Sequence, residues 1–532
     1  MKLLDNVHRK LFYIKNSSYI YFAKGNGSAY KGDGRMTVHH DEKSVGIKQQ
    51  EKAYVQQQEQ HLKRNLKSRH LSMISIGGAI GTGLFLSSGA AIHTAGPGGA
   101  LLAYALVGAM VYFVMTSLGE MAAYMPTSGA FSSYASRFVD PAFGFAIGWT
   151  YWFNWSMTIA AELTASTMIM KFWFPDSPSW VWSGAFLAII FLLNILSVKG
   201  YGEGEYWLSL IKVSAIVIFI IVGILMIFGI MGGEMVGFKN FTVKDAPFSG
   251  GMIGVFIVFI AAGFSFQGTE IVGVAAGESE NPAKNVPKAI NSVFWRILLF
   301  YVLAIFVIGL LIPYTNPNLQ NESVMVSPFT LILNKAGIAF AASLMNAVIL
   351  TAVLSAGNSS VYASTRMLYS MAKQGQAPKI FAKLNNRGVP FVSMIFTCAI
   401  GGLAFLASFF GDGAVYLWLM NAIGITGFIF WLGISVSHYR FRKAFIAQGH
   451  SLDELPYRAK WYPIGPIFAI ACGIIVILAQ NFQAFLADTV DWGSIVAAYL
   501  GIPLFFILMF GYKFIRKTKV VDLKEISFKF DE

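Results

Sequence analysis

Apolar residues in this chain do not alternate with polar ones. They run in blocks near the roughly 20 residues that a helix needs to cross the hydrocarbon core of a bilayer. About a dozen blocks can be marked, at 71–94, 99–125, 142–173, 180–198, 205–231, 250–277, 292–313, 337–370, 391–410, 414–437, 463–484 and 493–514. They predict an all-α integral membrane protein with about 12 transmembrane helices. An even count returns the chain to the side on which it began. Lys and Arg decide which side that is, because cytoplasmic loops carry the excess. The even-numbered connections hold Arg137, Lys199, Lys284, Lys288 and Arg296, then Arg366, Lys373, Lys379, Lys383 and Arg387, then Arg440, Arg442, Lys443, Arg458 and Lys460. The odd-numbered ones hold only Lys171, Lys239 and Lys244 as clear cases. Both ends of the chain are therefore expected in the cytoplasm. Lys63, Arg64, Lys67 and Arg69 before the first block agree, as do Lys513, Arg516, Lys517 and Lys519 after the last.

Residues 1–70 lack the block pattern and read as a cytoplasmic tail without fixed structure. Asp5, His8, Arg9, Lys10 and Lys15 interrupt any apolar core of a signal peptide, and "MTVHHDEK" makes Met36 the expected natural start. Residues 71–514 form the membrane domain and 515–532 a second cytoplasmic tail. A composition of 55% hydrophobic and 13% charged residues lies outside the range of soluble domains. The net charge of +13 sits beside apolar blocks, so it marks membrane flanks and not a nucleic-acid partner. Cys398 and Cys472 lie inside apolar runs and offer neither a disulfide scaffold nor a thiolate metal site. The histidines make no HExxH or Ser-His-Asp arrangement, so no catalytic site, metal or cofactor is expected.

Two blocks carry residues that a lipid-facing helix avoids. "MISIGGAIGTGLFLSSGAAI" crowds Gly77, Gly78, Gly81 and Gly83 into its middle, each costing roughly 1 kcal/mol relative to Ala in a helix interior. Close helix packing of the small-xxx-small kind is one explanation. The other is an unwound turn, tolerated at this depth only inside protein or beside an aqueous cavity. "AAGFSFQGTEIVGVAAGE" repeats the theme, with Gly268, Thr269 and Glu270 matching Gly81-Thr82 in depth. Five helices separate the two, so a five-plus-five repeat with an inverted second half would bring both breaks to the bilayer midplane. A helix that restarts there offers N–H groups and a positive dipole end to a carboxylate, and one that stops offers carbonyls to an ammonium group. The pair would hold the zwitterionic backbone of an α-amino acid.

Three long stretches carry a family resemblance: "SRHLSMISIGGAIGTGLFLSSGAAIHTAGPGGALLAY", "FSFQGTEIVGVAAGESENPAKNVPKAI" and "NAVILTAVLSAGNSSVYASTRMLYSMAKQGQAPKIFAK". They resemble the amino-acid permeases of the amino acid-polyamine-organocation superfamily, over roughly residues 62–525. "GWTYWFNWSMTIAAELTA" and "SHYRFRKAFIAQGHSLDELPYR" are most like the bacterial members that carry lysine. The resemblance implies a LeuT-like five-plus-five inverted repeat with two extra C-terminal helices. It also implies secondary active uptake of an amino acid, L-lysine, across the plasma membrane with protons as the coupling ion.

Site residues follow from both lines. Gly77, Gly78, Gly81, Thr82 and Gly83 in the first break, and Gly268, Thr269 and Glu270 in the second, are expected to hold substrate. Phe264 and Phe266 flank the second break as gates. Tyr151 and Trp155 share a face of the third helix; aromatic spacing of this kind often means packing, but matching positions in the family line the site. Glu162, Lys212 and Glu270 are ionisable groups at membrane depth, where a cavity or a partner is the rule. Glu162 suits a cationic side chain. Lys212 matches the helix-five lysine of proton-coupled permeases, against which stands snorkelling to the cytoplasmic surface. Glu270 could receive the substrate amine or relay a proton, and Glu120 is expected in an ion pair near the cytoplasmic end. Arginine, histidine or a neutral amino acid competes with lysine as substrate, and a lysine-binding receptor or exchanger without net proton-coupled uptake would share every site residue. The sequons at Asn240 and Asn321 fall in outward loops, where a bacterial host would leave them unmodified.

Overall fold

The computed structural model describes residues 15–16, 19–20, 62, 64–78, 80–85, 87–196, 198–320, 327–338, 340–486 and 492–528. Met36 and Asn321 lie outside them. The chain divides into two compact units, Met1–Gln58 and Glu59–Glu532. Of the first, Lys15–Asn16 and Tyr19–Ile20 pair as a short antiparallel hairpin. The second holds the helices.

All the predicted blocks fall on helix, and the two glycine-rich ones are divided. The first is built from α1 (Ser68–Gly77), α2 (Thr82–Phe85) and the start of α3 (Ser87–Tyr124). Within α3, Gly96 has φ +72° ahead of Pro97, and this separates the first block from the second. A Cβ on Gly96 would lie 2.6 Å from the Pro247 carbonyl oxygen, so both the backbone angle and the space require glycine. There follow α4 (Ala130–Phe138), α5 (Pro141–Met170), α6 (Ser179–Leu196) and α7 (Val198–Ile227). The divided sixth block gives α8 (Gly251–Ser265) and α9 (Ile271–Ala276). Then α10 (Pro282–Arg296) continues through a π-helical stretch, Ile297–Val302, into α11 (Leu303–Leu311). The chain goes on through α12 (Pro328–Lys335), α13 (Ala341–Lys373), α14 (Phe391–Gly401), α15 (Ala407–Phe410) and α16 (Asp412–Ala447). Last come α17 (Ile464–Ala479), α18 (Phe482–Leu486), α19 (Trp492–Tyr499) and α20 (Gly501–Arg516). Among the described residues six helices are long and apolar enough to cross a membrane, and shorter apolar helices accompany them.

Three helices begin with the same device. Asp140, Asn281 and Ser327 each cap a helix whose first residue is proline, with side-chain oxygens accepting from the N–H groups of Ala142 (2.8 Å), Lys284 (3.3 Å) and Thr330 (3.3 Å). Proline is at home there because its missing N–H would have no helical partner anyway. The polar start of α10, and α4 and α12 as a whole, add helix outside the predicted blocks.

Inside the bundle, α3, α5, α13 and α16 bury long apolar and small polar faces, whereas α17 to α20 leave Ile474, Leu478, Trp492, Ile507 and Phe514 exposed. Such a surface suits lipid, whose tails are as apolar as leucine. One face of the bundle gathers the connections after α3, α9 and α16 with both described ends of the second unit. Leu66 exchanges backbone bonds with Glu278 and Glu280 at 3.0 and 3.1 Å, and Val521 N–H donates to the Val139 carbonyl at 2.9 Å. We call this the tail face. The membrane unit thus begins before residue 71, with Ser68 already helical, and residues 518–528 pack onto it. On the opposite face Asn240 donates to the Leu310 carbonyl at 2.7 Å. Three basic residues read as connection charges are buried instead: Arg296 is 1% exposed, Arg366 0% and Arg442 2%. Arg296 and Arg366 fall within the marked blocks 292–313 and 337–370, near their tail-face ends, and Arg442 lies on α16 just past the end of its block.

Candidate functional site

The two interruptions meet. α1 stops at Gly77, whose carbonyl accepts from Lys212 Nζ on α7, and a Cβ there would fall on the Ser209 side chain. A Cβ on Gly78 would lie 3.5 Å from the Gly268 carbonyl, which brings the second break beside the first. Gly268 itself has φ +96°, a backbone that L side chains rarely adopt. Thr82 opens α2. Around this junction lies a cavity of about 30 Å³, room for little beyond a water molecule. Its walls are Gly78, Gly81 and Gly83 from the first break; Trp155, Thr158 and Glu162 from α5; Phe264, Ser265 and Gln267 from α8 and the second break; and Ala356 from α13.

Glu162 is the acid of this cavity. Its side chain is 6% exposed, and Oε2 has no hydrogen-bond partner among the described residues. A Cβ on Gly81 would come 3.9 Å from Oε1, so the first break leaves the carboxylate open to whatever lies between. Lys212, completely buried, stands within electrostatic reach of Glu162 and donates to Ser355 Oγ on α13 at 2.9 Å as well as to Gly77. It does not snorkel. A lysine held by a carbonyl at the end of a stopped helix uses the acceptors that the break exposes.

Several expected residues lie outside the cavity walls. Phe266 stacks on Tyr301 with ring centroids 4.2 Å apart and lies 6.1 Å from Tyr104, so its ring packs away from the cavity. Thr269 Oγ1 donates to the Phe266 carbonyl at 2.6 Å and is fully buried, which uses its hydroxyl to brace the turn. Glu270 accepts from Trp431 Nε1 on α16 at 3.1 Å. Tyr151 packs edge-on between Phe131 (4.5 Å) and Phe430 (5.0 Å), with Trp155 6.0 Å away. Gly77 and Gly268 serve the break without lining the cavity. Sequence reasoning gave Gln267, a polar residue in the second break, no role, and missed Thr158, Ser265 and Ala356, whose small side chains give no signal among the many of their kind.

Phe264 borders a second, larger cavity of about 400 Å³ toward the opposite face, walled by α3, α8, α16 and the α17–α18 turn with Gln480, Asn481 and Gln483. On the tail side the route is filled. Tyr201 and Tyr362 stack face to face at 3.9 Å and 2°. The Arg366 guanidinium lies 4.2 Å over the Tyr362 ring, and its Nε donates to Glu278 Oε1 at 3.2 Å. Glu120, expected near the tail side, pairs there with Arg442 and accepts from Ala459 N–H at 2.6 Å.

These features define a multi-span α-helical membrane protein in which two broken helices enclose a buried polar site. The chain belongs to the amino acid permease family, whose model matches residues 70–525. Among its relatives, the "Lysine-specific permease LysP" of Escherichia coli (strain K12) is 59% identical over 88% of this chain and 96% of its own length. The protein of that name from Lactococcus lactis subsp. cremoris (strain MG1363) is 55% identical over 88% and 93%, and the same organism's "Histidine permease HisP" is 52% identical over 88% and 98%.

Proposed function

We propose that this chain imports lysine across a bacterial plasma membrane by alternating access, with protons as the coupling ion and both chain ends in the cytoplasm. The carrying observation is Glu162: an open, unpartnered carboxylate oxygen in the wall of the central cavity favours a ligand with a second ammonium group. Relatives named for lysine support this reading. The substrate's α-carboxylate and α-amine fall to the first and second breaks, where Gly78, Gly81 and Gly83 let the ligand approach main chain. An inverted five-plus-five repeat accounts for two breaks at one depth. A 30 Å³ cavity is too small for lysine, so this shape is one from which Phe264 must swing or the breaks must part. Inward movement of one positive charge across 100 mV is worth roughly 2.3 kcal/mol, so potential and proton gradient would act together. Lys212 would carry the coupling proton.

The named relatives make histidine the second reading. The test is uptake of radiolabelled lysine into proteoliposomes at a clamped inside-negative potential, with and without an inward proton gradient, competed by arginine, histidine and neutral amino acids. Lysine uptake that the gradient stimulates and only lysine competes for is the expected result. Stronger competition by histidine would transfer the substrate assignment; equal competition by neutral amino acids would remove the role given to Glu162.

A further inference from the structure

The cationic end of Lys212 does not stop at Gly77. Its Nζ donates to Ser355 Oγ at 2.9 Å, and that hydroxyl in turn donates to Glu205 Oε1 at 2.5 Å. Both bonds point the same way, from ammonium through hydroxyl to carboxylate. Glu205 is completely buried and accepts also from Ser209 Oγ at 3.0 Å and, at Oε2, from Asn358 Nδ2 at 3.4 Å. Its Oε1 lies 3.9 Å from Lys212 Nζ, too far for a direct hydrogen bond, so Ser355 is the bridge. Sequence reading passed over Glu205 because "GEGEYW" reads as the polar end of a helix. Yet it stands on the same helix as Lys212, nearer the tail-face end, and the Lys212 side chain folds back toward it.

The other charged groups around this chain set its two ends. Glu162 on α5 faces Lys212 from the cavity side. Tyr201, which hydrogen-bonds Ser359 at 3.3 Å, lies between Glu205 and the Arg366–Glu278 pair on the tail side. The acid nearer the tail face is thus joined to Lys212 through one hydroxyl, while the cavity acid Glu162 stands within electrostatic reach of the same lysine.

We propose that Ser355 and Glu205 form the release path for the coupling proton. The inference rests on the reading of Lys212 as the proton carrier. In the step, an N–H bond of the Lys212 ammonium breaks and its proton joins Ser355 Oγ while the Ser355 proton passes to Glu205 Oε1. Lysine is left an amine, Glu205 a neutral acid, and the hydroxyl is restored. Glu205 holds the proton above the Tyr201–Tyr362 stack until that stack parts, and then loses it to the tail-side water. Placing the acceptor off the substrate cavity lets the proton leave without meeting the ligand.

The test uses the full chain in proteoliposomes at clamped potential. For one proton per substrate, an inward gradient of one pH unit can raise lysine accumulation up to about tenfold. E205Q and S355A are expected to lose that stimulation while still exchanging external for internal lysine, a cycle that needs no net proton release. S355T, which keeps the hydroxyl, is expected to retain it. Wild-type stimulation that persists undiminished in E205Q and S355A overturns the relay alone. Loss of stimulation and exchange together in S355A and S355T alike overturns it in favour of a packing role. A wild type that exchanges lysine but ignores the gradient removes the reading of Lys212, and the relay with it.

Discussion

The two ends of the route through this protein are closed in different ways. Toward the face opposite the tail face, one aromatic ring, Phe264, borders both the 30 Å³ cavity at the breaks and the 400 Å³ cavity beyond. Toward the tail face there is a layered plug: a tyrosine pair in contact, a guanidinium over one of them, and a buried carboxylate that binds both. A single ring can turn by rotamer change, whereas the plug can open only if helices move, because its members come from α7, α9's end and α13. The thin end is suited to fast gating and the thick end to a committed change of shape.

Disrupting the thick end carries the largest expected effect. Removing one member of a buried ion pair strands the other at about 3–5 kcal/mol. R366Q is therefore expected to lower the melting temperature of the purified protein sharply and to expose a cysteine placed at Ser359 to thiol reagents from the tail side. The double variant R366Q/E278Q should recover part of that stability, since no lone charge remains. A stable R366Q with an unreactive Ser359→Cys would mean that the plug is not what seals this end.

Between the two ends lies the second-largest effect. A hydrogen bond to a charged group is worth about 1.5–3 kcal/mol. E162Q is thus expected to weaken lysine half-saturation by roughly 10- to 100-fold, while any neutral amino acid that competes is affected less. If lysine and neutral competitors weaken in parallel, Glu162 shapes the cavity without reading the side chain.

Thinning the thin end further comes next. F264A is expected to let a bulky reagent added from the side opposite the tail face reach Thr158→Cys about tenfold faster, equivalent to roughly 1.4 kcal/mol of barrier. F264L should fall between. Unchanged access would shift the gate to movement of the breaks themselves.

What the sequence disclosed about these regions differs with the kind of signal. Gly77, Gly78, Gly81, Gly83 and Gly268 stood out because glycine is costly in a membrane helix, and the breaks lie where they predicted. Glu162 and Lys212 stood out because charge is rare at that depth. Phe264 and Phe266 could not be separated by composition; Phe266 lies just past the end of α8, and only its stacking on Tyr301 takes its ring away from the cavity. The plug was invisible for a further reason. Tyr201, Tyr362, Arg366 and Glu278 come from three distant segments and none stands out within its own, so only their meeting gives them a role. Arg296 was misread in the same way: it is buried, with no hydrogen-bond partner for its guanidinium among the described residues.

The smallest expected effect tests whether the tail face is held by its plug or by its rim. Asp140 caps α5, accepts from Thr518 Oγ1 at 2.7 Å and pairs with Lys513, tying the start of α5 to the end of α20. Burial alone would raise its pKa, but the bonds from Lys513, Thr518 and the Ala142 N–H outweigh it and hold the group below its ordinary value. A depressed carboxylate contributes stability above its unfolded pKa and loses it as pH falls through the folded one. D140N keeps the cap but loses the charge, so at neutral pH it is expected to cost about 1 kcal/mol or less. Melting curves at neutral and acid pH should show the parent and D140N converging as the medium is acidified. A difference that persists unchanged in acid would mean that Asp140 acts through its cap geometry, and that the rim contributes nothing electrostatic to holding the thick end shut.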